Sequence, residues 1–285
     1  MKPIAFTKME GTGNDFLLID NRRGLLDQIK LDDLVRKACN RRFGIGADGV
    51  ILLGSDQATD FFMRYFNSGG DEAAMCGNGA RCIVRFAERL GLIKNKCSFR
   101  THSGNHQAEI DGDLVRLKID RARISELDKH VALVGRGYTG DFIDVGVPHY
   151  VVYAQDLEAI DLRKTGAELR HAVEFQPAGT NVNFVSVTPP GLRIRTYERG
   201  VENEVLACGT GAIAATLSAA QRDQVVSPAS VFARGGRLNI YFKRGEQCGL
   251  IRQFSNIVLE GPASFVCDGL YWYQEPSAVP LIPLH

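Results

Sequence analysis

The sequence predicts an α+β protein of two pseudo-symmetric domains, each a mixed sheet wrapped around a central helix. The first observation behind this is an internal repeat. Arg64-Tyr65-Phe66-Asn67 leads through Asp71-Glu72 to Met75-Cys76-Gly77-Asn78-Gly79-Ala80. Arg195-Thr196-Tyr197-Glu198-Arg199 leads through Asn203-Glu204 to Ala207-Cys208-Gly209-Thr210-Gly211-Ala212, and the two cysteines are 132 residues apart. The second observation is that short strand-like runs outnumber helical ones. The third is length, since 285 residues suit two medium domains.

In chain order, Gly13-Asn14-Asp15-Phe16-Leu17-Leu18 corresponds to Gly146-Val147-Pro148-His149-Tyr150-Val151 at an offset of 133. Gly46-Ala47-Asp48-Gly49-Val50-Ile51-Leu52 corresponds to Gly179-Thr180-Asn181-Val182-Asn183-Phe184-Val185 at the same offset. The runs 50–53, 61–66, 183–187 and 192–197 are short, apolar and bounded by Gly, Pro, Asn or Asp, as strands are. One helix per half starts just after Cys-Gly-x-Gly. In the first, Ala80, Ile83, Val84, Ala87 and Leu90 keep helical spacing and Gly91 supplies a stop. In the second, residues 212–220 are apolar nearly all round, the mark of a buried central helix. The pattern breaks near residues 128–140, where Asp128-Lys129-His130 and Gly135-Arg136-Gly137 intervene. This gives an N-terminal half, 1–130, and a C-terminal half, 131–264. The segment 275–285, with Pro276, Pro280 and Pro283, reads as a tail.

Composition removes several classes of function. Thirty-four Lys and Arg against thirty-three Asp and Glu leave +1, so no overall field recruits nucleic acid or an anionic membrane. The longest uncharged stretch, 205–221, is 17 residues and contains Gly209 and Gly211, too short and small-residue-rich for a membrane span. No apolar signal segment follows Met1-Lys2-Pro3, so a reducing cytoplasm is the expected location. Seven cysteines cannot all pair, which excludes a complete disulfide framework. Cys39, Cys82, Cys97, Cys248 and Cys267 fit the usual free-thiol role of small core residues.

Cys76 and Cys208 are different because they alone recur as a cysteine pair. A thiol just before a helix sits among unpaired backbone N–H groups at the positive end of the helix dipole. Such a position can lower a thiol pKa from about 8.5 to roughly 3.5–7.5. The glycines that follow let the backbone approach a bound anion closely. Two such helix starts, related by pseudo-symmetry, can converge on one substrate from opposite faces. Racemisation needs that arrangement: one thiolate removes a proton from a stereocentre and the opposing thiol returns one on the other side. The pair then titrates as a coupled unit.

Other chemistries fit less well. The chain has no Cys-x-x-Cys, and the interval between Cys76 and Cys82 is not a zinc spacing. His102-Ser103-Gly104-Asn105-His106 has the gap of some zinc pairs, yet Ser-Gly-Asn between the rings argues for a turn. Gly44-Ile45-Gly46-Ala47-Asp48-Gly49 precedes a strand, the wrong context for a dinucleotide loop. No metal and no cofactor are therefore expected.

The whole set of motifs resembles diaminopimelate epimerase, an enzyme family that interconverts LL- and meso-diaminopimelate without pyridoxal phosphate. The resemblance runs from about Phe6 to Gly269. It is carried by Lys8-Met9, Gly13-Asn14-Asp15-Phe16, Gly44 to Gly49, Phe66-Asn67, Cys76 to Cys82, Pro148-His149, Asn181 to Phe184, Tyr197 to Gly200 and Ala207 to Ala212. It implies a diaminopimelate epimerase-like fold in which a segment near 265–275 completes the N-terminal half. It places the catalytic pair on Cys76 and Cys208, with His149 and Glu198 near enough to assist proton transfer. Substrate binding falls on Asn14, Asn67, Asn181, Glu198 and Arg199, with backbone donors from Gly77, Asn78, Gly209 and Thr210. These backbone donors would grip the reacting α-carboxylate, and Asn14, Asn67, Asn181 and Arg199 would read the distal amino-acid end.

Two positions depart from the family pattern. Val147 stands where many members have an asparagine that contacts the distal end of the substrate, and Gly49 stands where some have glutamine. The expected partner is thus a small amino-acid substrate in lysine and peptidoglycan-precursor synthesis, and the resemblance implies a homodimer. A racemase of another amino acid on the same scaffold is the alternative, as is a non-catalytic anion-binding module.

Overall fold

The computed structural model describes residues 2–275, with the side chain of Lys2 left aside. The expected tail therefore lies outside the described residues apart from Glu275. Eighteen strands and four α-helices are present among them, an α+β arrangement of the kind expected.

The first half begins with β1 (Lys2–Gly11) and β2 (Asn14–Asp20), an antiparallel pair. β2 runs parallel to β3 (Gly49–Gly54), which turns back into β4 (Phe61–Asn67). β5 (Glu72–Ala73) pairs on β4, and β6 (Lys96–Thr101) runs parallel to it. β7 (Gly104–Asp111) and β8 (Leu114–Ile119) continue antiparallel. The turn predicted across His102–His106 is the β6–β7 connection, where Gly104 has φ +122°.

The second half repeats this connection by connection. β9 (Arg123–Leu133) pairs β10 (Arg136–Asp144), which pairs β11 (Pro148–Tyr153). β11 runs parallel to β12 (Asn181–Thr188), and β12 turns back into β13 (Gly191–Glu198). β14 (Asn203–Val205) pairs on β13, and β15 (Ala229–Ala233) runs parallel to it. β16 (Gly236–Cys248) and β17 (Ile251–Pro262) follow antiparallel. β18 (Ser264–Tyr273) returns to β1 as β9 pairs β10. The two series join where β8 pairs antiparallel with β17, Leu117 opposite Leu259.

Each half carries two helices, not the one predicted. The inner helices are α2 (Gly77–Arg89) and α4 (Gly209–Gln221), which start where the cysteine motifs predict. One continuous apolar core joins their buried faces, with Ala80, Ile83 and Val84 from one and Ala212, Ile213 and Leu217 from the other. α1 (Leu31–Cys39) and α3 (Leu162–Arg170) cover the outer sheet faces over smaller cores. At nine residues each they are short for a periodicity to stand out. α1 buries Leu34, Val35, Ala38 and Cys39, and the pairs Arg36–Asp32 (2.9 Å) and Lys37–Asp33 (2.7 Å) line its outer face. No helix among the described residues is long and apolar enough to cross a membrane.

All seven cysteines are free. Cys39, Cys82 and Cys97 are buried as expected, but Cys248 and Cys267 are exposed, against the expectation of core positions. Cys248 ends β16, whose last six residues lie beyond the core. Cys267 lies on β18, which among the described residues pairs with β1 alone and is mostly exposed.

Candidate active site

Cys76 and Cys208 are the N-cap residues of α2 and α4, both in extended backbone conformation. The repeat therefore places two thiols in the same relation to two helix starts. The two starts approach one side chain. A Cβ added to Gly209 would lie 2.8 Å from Leu259 Cδ2, and one added to Gly77 would lie 3.7 Å from the same methyl. The motifs also touch directly. Asn78 Nδ2 donates to the Ala207 carbonyl at 3.1 Å and to Asn14 Oδ1 at 2.5 Å.

Electrostatics at the thiols correct the expectation of a lowered pKa. Burial pushes Cys76 up to about 11, opposed by the Gly79 and Asn78 amides and the Arg81 charge, with Glu198 adding to the rise. Burial also pushes Cys208 up, and the Glu198 charge reinforces it, against the Thr210 hydroxyl and the Gly211 amide. The Gly211 N–H and the Thr210 Oγ1 each lie 3.4 Å from Cys208 Sγ. The helix-start amides act in the direction the sequence predicts, but loss of hydration outweighs them. Glu198 faces both thiols from β13. Burial raises its own carboxyl, and its hydrogen bond with Cys208 opposes the rise.

His149 is fully buried on β11. Burial pushes its imidazole down to about 3, with the Asn183 hydrogen bond opposing and the Arg199 charge adding. The ring is therefore neutral near pH 7. Asn183 Nδ2 lies 3.1 Å from Nδ1, and Asn183 Oδ1 accepts from Thr196 Oγ1 at 3.0 Å. An amide nitrogen donates, so Nδ1 accepts and the ring proton sits on Nε2. That buried nitrogen has no partner among the described residues. Asn183 also sits under Gly211, where a Cβ would collide with its Oδ1. In the first half the matching place under Gly79 is taken by Ile51, 2.7 Å from a Cβ added there, and the position matching His149 is Phe16, packed edge-on against Tyr65. The floor is apolar below Cys76 and polar below Cys208.

The remaining predicted residues divide. Asn14 donates to Asp48 Oδ2 at 3.0 Å and receives Asn78, so it stands beside the first helix start. Asn181 donates to the Pro148 carbonyl at 3.0 Å and accepts the Arg199 N–H at 2.9 Å, which ties it to the His149 strand. The Arg199 guanidinium donates to the Ala178 carbonyl at 3.2 Å. Asn67 is not joined to the other predicted residues: it faces Gly49 across the ladder, and its Oδ1 accepts the N–H groups of Gly69 and Asp71 in a turn. Among the described residues no group of His, Cys, Asp or Glu is arranged to hold a metal ion.

The family model described as diaminopimelate epimerase matches residues 6–124 and 142–266, one segment in each half. The chain belongs to the diaminopimelate epimerase family. It is 42% identical over 264 residues to the diaminopimelate epimerase of Flavobacterium psychrophilum, covering 92% of this chain and 97% of that one. It is 42% identical over 247 residues to that of Aquifex aeolicus, covering 82% and 88%. A hydroxyproline epimerase from Agrobacterium vitis shares the fold, with a TM-score of 0.67, 17% identity and coverage of 94% and 92%.

For a diaminopimelate epimerase family member, this chain places further residues at the thiols that the motifs did not single out. Tyr65 on β4 is packed against the core beside Cys76, and burial together with the charges of Cys76 and Glu198 pushes its phenol up. Arg81, one turn into α2, is entirely buried. The signal for Arg81 was available as a break in the repeat, since the residue 132 positions later is Ile213. Leu259 lies outside every motif; on β17 it stands between Leu117 of β8 and Ile240 of β16.

Proposed function

We propose that the protein interconverts LL- and meso-2,6-diaminopimelate by a cofactor-independent two-base mechanism on Cys76 and Cys208. Its main support is the approach of two cysteine-capped helix starts to Leu259, with Glu198 facing both thiols. One cysteine, as thiolate, takes the α-proton; the C–H bonding pair passes into the α-carboxylate system as a carbanion. The opposing thiol then delivers its proton to the other face and becomes the thiolate. Each cysteine is base in one direction and acid in the other.

The amides of Gly77, Asn78, Gly209 and Thr210 hold the reacting carboxylate at the positive ends of α2 and α4, where charge develops. Burial that raises both thiols also makes the thiolate a stronger base, which suits a weakly acidic α-proton. Glu198, within reach of both thiols, assists proton transfer, and neutral His149 does so from its buried strand. Asn14, Asn67, Asn181 and Arg199 take the distal end, with the amide of Asn67 released from its turn.

Family membership supports a role in lysine and peptidoglycan-precursor synthesis, a cytoplasmic location and a homodimer. Division into 1–130, completed by the segment near 265–275, and 131–264 draws support from the pairing of β18 with β1 for the completing segment, whereas β9 (Arg123–Leu133) runs across the 130/131 boundary and pairs with β10. Val147, whose side chain cannot hydrogen-bond, favours one second reading: racemisation of a different amino acid.

The deciding measurement is incubation with LL-diaminopimelate in D₂O, followed for α-deuterium and stereochemistry. Deuterium entry with formation of the meso isomer is expected. Exchange only with another amino acid selects the second reading, and exchange with none leaves an anion-binding module.

A further inference from the structure

We propose that Arg81 is a positioning residue that makes the two thiols unequal, so that in the empty enzyme Cys76 carries the thiolate and Cys208 the proton. The inference rests on the two-base reading above, in which the pair holds one proton.

Arg81 is 0% exposed, and every acceptor it meets is neutral. Nε donates to the Pro262 carbonyl at 3.1 Å and Nη1 to the Gly77 carbonyl at 3.4 Å. Nη2 donates to Thr12 Oγ1 at 2.8 Å and to Asn78 Oδ1 at 3.0 Å. A buried guanidinium ordinarily has a carboxylate against it, because an unpaired internal charge is costly. Glu10 is the carboxylate whose charge reaches Arg81. It accepts the Gly13 N–H at 3.0 Å and makes no hydrogen bond to the guanidinium.

The cation therefore lacks a bonded counter-ion and sits in the helix that Cys76 caps. The thiols whose negative charge would stabilise it are Cys76 and Cys82. Cys82 has the larger charge interaction with Arg81 but is 0% exposed. Cys76 is only partly buried and caps the helix, where the Gly79 and Asn78 amides also favour an anion, so the anion falls on Cys76.

The position behind Cys208 that matches Arg81 holds no cation. Ile213 occupies the matching position on α4, and the charged group at that thiol is Glu198, an anion that favours the protonated form. Facing Cys76 are the Gly79 and Asn78 amides, Arg81, Glu198 and Tyr65. Glu198 opposes the thiolate at both sites, whereas Arg81 favours it at one.

The same guanidinium also orients Asn78. By holding Oδ1, it turns Nδ2 toward Asn14 and toward the Ala207 carbonyl beside Cys208. Arg81 thus acts on the site through charge and through alignment, without touching substrate.

The test is alkylation of the full chain by iodoacetamide across neutral and alkaline pH, with each cysteine followed by peptide mass spectrometry. The pH midpoint at each site, not the amount labelled, reports the thiolate and removes the effect of access. In the unaltered enzyme the Cys76 midpoint should lie below that of Cys208 by about one unit or more. Arg81→Met should raise the Cys76 midpoint by about one unit and close the gap, while Arg81→Lys, which keeps the charge, preserves the order. Equal midpoints, or a lower one at Cys208, in the unaltered enzyme overturn the proposal, as does an unchanged gap in Arg81→Met. Should Arg81→Met fail to fold, the unaltered enzyme and Arg81→Lys still decide, since reversal in Arg81→Lys also counts against it. Failure of deuterium exchange would sink the epimerase reading separately; exchange with the wrong alkylation order would sink only this inference.

Discussion

Asn78 donates from Nδ2 to the carbonyl of Ala207 at 3.1 Å, so the first cysteine motif is hydrogen-bonded directly to the residue preceding the second cysteine. The bond crosses between pseudo-repeats and fixes the spacing of two helix starts without relying on either thiol. Its counterpart in the second half, Thr210, instead turns its hydroxyl to its own Cys208. The repeat is symmetric in backbone and asymmetric in side chains.

Asn78→Ala should therefore weaken both fold and catalysis. It removes the bonds to Asn14 and Ala207 and takes one acceptor from buried Arg81. A loss of about 1–3 kcal/mol is expected from stranded polar groups. Urea unfolding measures the stability change, and a fall in kcat exceeding the rise in KM would show that alignment has suffered.

Cys76→Ala and Cys208→Ala should each remove epimerisation in both directions, with a loss of at least about 10²- to 10⁴-fold. Both cysteines sit at N-caps where alanine keeps the backbone extended, so the circular dichroism spectrum should be unchanged. Retained turnover in either variant would defeat the two-base scheme.

The acid limb of kcat/KM should lie on the alkaline side of neutrality. Both thiols are pushed above their ordinary value, so the thiolate is scarce at low pH and becomes more abundant as pH rises. A second limb, where both thiols ionise, completes a bell. A limb centred near pH 6.5, the ordinary histidine value, would contradict this, because His149 is neutral there.

His149 also predicts a pH dependence of stability. Its folded pKa, pushed down to about 3, lies below the unfolded value near 6.5. Between these values the unfolded chain binds the extra proton, so His149 contributes a loss of stability as pH falls through that window. His149→Phe, which copies Phe16 of the first half, should flatten this acid-side slope in thermal melts while leaving Asn183 Nδ2 with one acceptor fewer.

Val147→Asn supplies an amide at the proposed distal end of the substrate. If diaminopimelate is the substrate, KM should fall about three- to tenfold with kcat little changed, the worth of one hydrogen bond. A KM for diaminopimelate that stays the same or rises would favour the alternative substrate.

The elements that set the site were legible because the repeat is written in residues whose geometry is local. Cys-Gly-x-Gly before an apolar run fixes both helix starts, and Ser-Gly-Asn between His102 and His106 fixes a turn. The direction of the thiol shifts was not legible, since it depends on how deeply the folded chain removes water from Cys76 and Cys208. Exposure of Cys248 and Cys267 likewise follows from strands that extend past the core or border it on one side only. Asn67 illustrates the opposite limit: its position was found, but its carbonyl is engaged in a local turn that no motif announces.

Leu259 fills the space where side chains on Gly77 and Gly209 would lie, from a strand of the seam between halves. The gap between the two helix starts is thus spanned twice, by the Asn78–Ala207 bond and by one branched side chain that belongs to neither cysteine motif. Duplication supplied two copies of the helix start, and both are set against this one side chain. Each copy can drift in sequence, as Phe16 and His149 have, but neither can reset the gap on its own.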